Sequence, residues 1–273
     1  MQLGYPLGIV GSTGVFAMAS RLPEAAFLAW GWRVPFLLSA ILVGIGLFIR
    51  LRFAETPVFR EVLDQRNTSR MPSLEILAKH RRTFLIAVGL KVTEIAYVTI
   101  ATIYSITYAT TRLGLPRSVI FNGILLAAVI QLFTIPTFGW LSDRYGRKPL
   151  FFAGCAFAIA FAFPMFWLFD TKDPTIIAMT VAIAVTFGQG IMFGPAASWI
   201  SELFSTRLRY SGASLGFQLG AVIGGGLTPL IAAALLAWSG GSAWPVSIYL
   251  ILLGLVTLAA TIAAPETAGK PLS

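Results

Sequence analysis

The sequence predicts an all-α, polytopic membrane protein with eight transmembrane helices. Hydrophobic residues make up 57% of its 273 residues and charged residues only 11%, where a soluble domain carries roughly 25% charge. The charges are spaced to leave uncharged pieces near the ~20 residues that cross a hydrocarbon core. Strand-like alternation is absent, which removes a β-barrel.

The spans follow in order. Leu3 to Ser20 precedes Arg21 and is read as a retained span, because no basic residue stands before it to make the n-region of a secretory signal. Its glycines, Gly4, Gly8, Gly11 and Gly14, would permit close helix packing. Val34 to Ile49 lies between Arg33 and Arg50. Thr83 to Thr111 is interrupted only by Lys91 and Glu94. Ser118 to Ser142 stops at Asp143, Pro149 to Phe169 at Asp170, and Pro174 to Ser201 at Glu202. Tyr210 to Pro265 carries no charge and is long enough for two spans, divided at the Trp238 to Pro245 turn with its interfacial tryptophans.

The loops set orientation and organisation. The side facing the 51–82 loop collects fourteen basic residues and the other side five. By the positive-inside rule the first side is cytoplasmic, and so are both termini. The net charge of +9 is then a topology signal rather than a nucleic-acid footprint. The chain divides into 1–50 with two spans, a cytoplasmic linker over 51–82 with room for a short amphipathic helix, and 83–273 with six spans. Two spans make no complete bundle, so more of a first half is expected upstream of Met1.

Several chemistries are excluded. His80 is the only histidine and Cys155 the only cysteine, so no disulfide within the chain and no multi-Cys or multi-His zinc site is possible. No nucleophile stands with a positioned base. The expectation is a protein that is not an enzyme and takes no cofactor, no metal, no nucleic acid and no obligate protein partner.

The most specific motif is Gly139 to Lys148, G-W-L-S-D-R-Y-G-R-K. One span ends, Gly146 turns the chain, and the next span begins. Asp143 can accept hydrogen bonds at a helix N-terminus or pair with an arginine. The spacing resembles the signature loop of the major facilitator superfamily, a class of twelve-span secondary transporters. Glu202 to Tyr210 resembles that family's E-x-F-x-x-x-x-R loop between its tenth and eleventh spans. Glu55-Thr56 and Pro265-Glu266-Thr267 look like its paired P-E-T ends. The stretches from Arg33 to Ser39 and from Arg50 to Pro57 are similar to the metabolite–proton symporter branch, whose members move proline, betaine, shikimate, citrate or dicarboxylates. If the signature loop is the second of the family's two copies, 83–273 is the C-terminal half, 1–50 holds the last two spans of the N-terminal half, and the first four of the twelve spans are missing.

The candidate substrate site rests on Lys91 and Glu94, the charges inside a span. A charge at that depth is costly and by default faces a cavity with a function. Glu94, Tyr97, Tyr104 and Tyr108 share one helix face, and Lys91 extends it. The alternative is an internal ion pair with interfacial tyrosines. Lys91 is the candidate to attract a carboxylate and Glu94 to exchange a proton, with Tyr97, Gln189 and Gln218 as companions in substrate binding. Gln131, Gln189 and Gln218 could each equally bond a neighbouring helix, and Asn122 is half a turn out of phase with Gln131. Gly212, Gly216, Gly220 and Gly224 form a close-packing ridge, and Pro229 is placed to kink the same helix. By resemblance, Asp143, Arg144, Arg147, Glu202, Arg207 and Arg209 form a cytoplasmic gate.

Together these imply a plasma-membrane symporter that moves a small polar metabolite, an organic acid or a zwitterion, with a proton by alternating access. The alternatives are an inactive partial transporter chain, or a passive channel or receptor.

Overall fold

The computed structural model describes residues 2–19, 22–52 and 72–269. The chain divides into two compact units, one of Gly4–Thr68 and the other of Met1–Leu3 with Ser69–Ser273.

The first unit holds α1 (Gly4–Ala19), a short α2 (Glu24–Ala29) and α3 (Val34–Arg52). Pro35 sits in the first turn of α3, where its missing N–H breaks no helical bond. Just before it, Arg33 lies 4.5 Å from the centre of the Trp32 ring. The expected close packing through the α1 glycines is not found: a Cβ built on Gly4, Gly8, Gly11 or Gly14 meets nothing within 4 Å.

The second unit holds α4 (Pro72–Lys79) and six long helices. These are α5 (Arg81–Arg112), α6 (Ser118–Tyr145), α7 (Arg147–Phe169), α8 (Pro174–Glu202), α9 (Arg209–Trp238) and α10 (Trp244–Ala263). Helix α4 falls within the expected linker, while residues 53–71, including Glu55 and Thr56, lie outside the described residues.

Seven helices among the described residues are long and apolar enough to cross a membrane, against eight expected. The difference is α1. Its 16 residues rise only about 24 Å, less than the ~30 Å of a bilayer's hydrocarbon core.

Local chemistry sets the helix ends. Asp173 caps α8, accepting bonds from the backbone N–H of Thr175 at 2.7 Å and Ile176 at 3.0 Å, with Pro174 at the first helical position. Gly146 joins α6 to α7 at φ +107°, a conformation that side-chain-bearing residues resist.

Helix α5 packs against α9 and α10, α6 against α8, and α7 against α8 and α10. Helices α5 and α8 are the most buried of the six. The glycine ridge on α9 is what brings α9 onto α5. A Cβ on Gly216 would lie 2.8 Å from Ala87 Cβ, one on Gly220 2.6 Å from Lys91 Cβ, and one on Gly224 would overlap the Val92 carbonyl. Threonines tie α5 to α10, with Thr93 Oγ1 donating to the Leu253 carbonyl and Thr257 Oγ1 to that of Gly89, each at 2.6 Å. Three helices are interrupted by π-helical turns: α5 at Ile100–Tyr104 and Tyr108–Arg112, α8 at Ala184–Gln189, and α9 at Val222–Gly226. The break in α9 falls just before Pro229, which occupies the first turn of the segment that follows.

Candidate functional site

Inside the second unit, α5 places Lys91 and Glu94 one turn apart, and the two form an ion pair. Their side chains are 4% and 2% exposed. Both the cavity-facing reading and the internal-pair reading start from this geometry, and the neighbours extend it. Gln189 Nε2 donates to Glu94 Oε1 at 3.3 Å. Gln131 Nε2 donates to Gln189 Oε1 at 2.8 Å and to the Val185 carbonyl at 3.1 Å. A relay of two amide donors thus runs from Gln131 on α6 through Gln189 on α8 to the Glu94 carboxylate on α5. Gln189 is the last residue of the π-helical turn Ala184–Gln189, which also supplies the Val185 carbonyl.

The ammonium of Lys91 meets two rings as well. It lies 4.4 Å from the centre of the Phe217 ring on α9 and 5.2 Å from that of Phe193 on α8. Such placements are attractive because the ring face is electron-rich. Tyr97 is fully buried and packs against Gly188, where a Cβ would overlap its ring. The hydroxyls of Tyr97 and Tyr104 and the Oε1 atom of Gln131 make no hydrogen bond among the described residues. At the far end of α5, Tyr108 donates to Asp170 at 2.7 Å.

Lys91, Glu94, Tyr97 and Gln189 are all buried in this unit, whereas Gln218 is exposed. It lines a shallow apolar hollow with Leu77, Phe84, Leu215, Leu219 and Val222. Gln131 bridges α6 to α8 through Gln189 and the Val185 carbonyl, one of the two roles open to it. Asn122 is exposed while Gln131 is buried, as their phase difference requires. Phe193 and Phe217 carried no sequence signal, since an aromatic on an apolar helix reads as packing.

A second cluster sits where α6 ends and α7 begins. The Arg147 guanidinium forks onto Glu202, Nε to Oε2 at 3.3 Å and Nη2 to Oε1 at 3.0 Å. Its Nη1 atom pairs with Asp143 and donates to Ser142 Oγ at 3.0 Å. Thr267 Oγ1 donates to Glu202. Arg144 stands apart from Glu202, its guanidinium 5.4 Å from the Trp140 ring and 5.6 Å from the Tyr145 ring. Arg207 pairs with Glu75 on α4, and Arg209 Nε donates to the Ser201 carbonyl at 3.3 Å. The six expected gate residues thus divide into a connected core of Asp143, Arg147 and Glu202 and three neighbours with other partners.

The helix-terminal acceptor in this cluster is Glu266, a role the sequence suggested for Asp143. The Glu266 carboxylate accepts from the backbone N–H of Arg147 at 3.0 Å, Lys148 at 2.9 Å, Thr267 at 2.9 Å and Ala268 at 3.0 Å. Burial alone would push its carboxyl pKa up, but the backbone donors of Ala268, Lys148, Arg147 and Thr267 outweigh it and hold the group below the usual carboxylate value. Two of those donors open α7, where a negative charge also meets the positive end of the helix dipole. The sequence signal for Glu266 was its place in the Pro265-Glu266-Thr267 motif, to which no partner was assigned. The same motif is fixed from the other side by Trp199 Nε1, which donates to the Pro265 carbonyl at 3.1 Å.

The family model described as Major Facilitator Superfamily matches residues 2–223. The shikimate transporter of Escherichia coli K12 is 34% identical over 254 residues, 92% of this chain and 58% of its own. The inner membrane metabolite transport protein YhjE of the same strain is 32% identical, covering 99% of this chain and 62% of its own. The proline/betaine transporter of Salmonella typhimurium LT2 is 32% identical over all of this chain and 56% of its own. The chain therefore spans about three-fifths of the length of these relatives. No solved structure gives a significant match.

Proposed function

The chain belongs to the Major Facilitator Superfamily, and from that premise we propose that it is a multi-pass secondary transporter that moves a small polar metabolite with a proton by alternating access. The relatives named for shikimate and for proline or betaine support a small polar cargo. We read 83–273 as the C-terminal half of the family fold, 1–50 as the last two spans of the other half, and 51–82 as the linker that joins them.

The observation that carries this reading is the buried Lys91–Glu94 pair, tied through Gln189 to Gln131. A cation this deep is expensive unless paired. A carboxylate cargo that takes Lys91 leaves Glu94 without its counter-charge, and a proton on Glu94 restores neutrality. Cargo and proton are thereby coupled through one lysine. Tyr97 and Gln189 shape and orient the site.

The Asp143–Arg147–Glu202 core, with Thr267 and Glu266, is the proposed latch, and the basic excess on that side supports a cytoplasmic location for it in a plasma-membrane protein. Arg144, Arg207 and Arg209 flank it. In this reading the latch biases a two-state equilibrium.

The test is uptake of radiolabelled carboxylates by membrane vesicles with and without an imposed pH gradient. Gradient-driven accumulation in the parent is expected. Glu94→Gln should lose that accumulation but keep exchange of labelled for unlabelled cargo, and Lys91→Gln should lose both. Uptake indifferent to the gradient, or unchanged in Glu94→Gln, overturns the mechanism. Uptake that never exceeds equilibrium overturns active transport altogether.

A further inference from the structure

The surroundings of Lys91 narrow the cargo further. The residue is 3% exposed, whereas Phe193 and Phe217, whose rings lie against its ammonium, are half-buried. These two side chains, from α8 and α9, are more exposed than the ammonium they flank. A carboxylate paired with Lys91 therefore has its body within reach of one or both rings.

The charges can be counted. Lys91 and Glu94 are the charged groups of this buried cluster among the described residues, and Gln131, Gln189 and Tyr97 are neutral. With the cargo loaded and Glu94 protonated, Lys91 is the remaining charge on the protein side. A monoanion brings the buried site to neutrality. A zwitterion leaves it with one uncompensated positive charge, which a low-dielectric interior penalises heavily. The ring faces that would welcome a quaternary ammonium are already turned on the Lys91 ammonium, and repulsion between two whole positive charges outweighs the charge–ring attraction.

We propose that the site selects monoanionic carboxylates with an apolar body that packs on Phe193 and Phe217, and excludes carboxylates carrying a quaternary ammonium. The proposal rests on the reading of Lys91 as the partner of the cargo carboxylate and adds the rest of the molecule to it. Two rings supply dispersion and apolar contact to the carbon skeleton, so the collar acts on the body and the lysine on the charge.

The test is equilibrium dialysis of radiolabelled benzoate, acetate and glycine betaine against the full chain in neutral-lipid nanodiscs. Benzoate is expected to bind at least about tenfold more tightly than either of the others, roughly one decade in affinity for each missing contribution. Phe217→Ala should bring benzoate close to acetate, and Phe217→Leu, which keeps an apolar side chain there, should retain part of the difference. Glycine betaine binding as tightly as benzoate overturns the charge count. A benzoate-to-acetate ratio unchanged in Phe217→Ala and in Phe193→Ala overturns the collar. Benzoate binding untouched by Lys91→Gln overturns the underlying reading of Lys91 as well, a result distinct from the other two.

Discussion

Two ion pairs in the second unit use the same chemistry at different depths. Lys91–Glu94 is enclosed by α5, α8 and α9, with both side chains almost fully buried. Arg147–Asp143 lies at the end of a helix, and the Asp143 side chain is 67% exposed. The buried pair has little water to fall back on, so each member depends on the other and on Gln189. At the helix end, Arg147 shares its charge among Glu202, Asp143 and Ser142, and solvent can replace the outermost of these. A pair that cannot be solvated suits an obligatory exchange of partners, and a solvated, branched network suits repeated opening.

The contrast can be broken most forcefully at Lys91. Lys91→Met strands a buried carboxylate and is expected to cost about 3–5 kcal/mol in denaturation from detergent micelles. Adding Glu94→Gln to that variant should restore most of the loss. If single and double variants unfold alike, burial has not made the pair interdependent. Gly224→Ala comes next. Its new methyl overlaps the Val92 carbonyl, so α9 is forced off α5, at about 1–3 kcal/mol, and carboxylate affinity at the adjoining site should fall with stability.

Glu266→Gln probes the helix end with a smaller effect, about 0.5–1 kcal/mol near neutral pH. Glu266 titrates below the usual carboxylate value in the folded chain. Its stabilising contribution is therefore present above the unfolded value and is lost as pH falls through the folded one. Denaturation midpoints of parent and variant should differ at neutral pH and converge in acid. A gap that is constant with pH would mean that charge is not what Glu266 contributes. The smallest effect is expected at Asp143→Asn, at most about 1 kcal/mol of stability. A loss there as large as that from Lys91→Met would erase the distinction between the two regions.

The sequence made the framework legible because each charge in a mostly apolar chain has few affordable places. That logic sets the ends of α5 to α10 and isolates Lys91 and Glu94 as the pair within a span. The phase of the α6 pattern puts Gln131 inside and Asn122 outside. It fails where neighbours decide. Gln218 shares α9 with Phe217, yet one side chain faces the shallow hollow and the other the Lys91 ammonium. The π-helical turns shift helical phase without changing composition, so the register that carries Gln189 onto Glu94 is invisible in a hydropathy pattern. Glu266 lies 119 positions beyond the Arg147 N–H it caps, and local spacing is silent about partners that far apart. Helix α1, at 16 residues, is shorter than the uncharged run that contains it, because the absence of charge limits where a helix can lie without fixing where it ends.

That separation also gives the chain a schedule. The first turn of α7 is made early, while the carboxylate that closes it follows 119 positions later. At about 5–20 residues per second of translation, the ribosome takes roughly 6–24 s to supply it. Throughout that interval the Arg147 and Lys148 amides are without their acceptor from this chain. Truncation just before Pro265 would make the interval permanent. The corner between α6 and α7 is thus sealed by a residue that follows all six long helices of its unit, so this contact can form only once the whole set has been made.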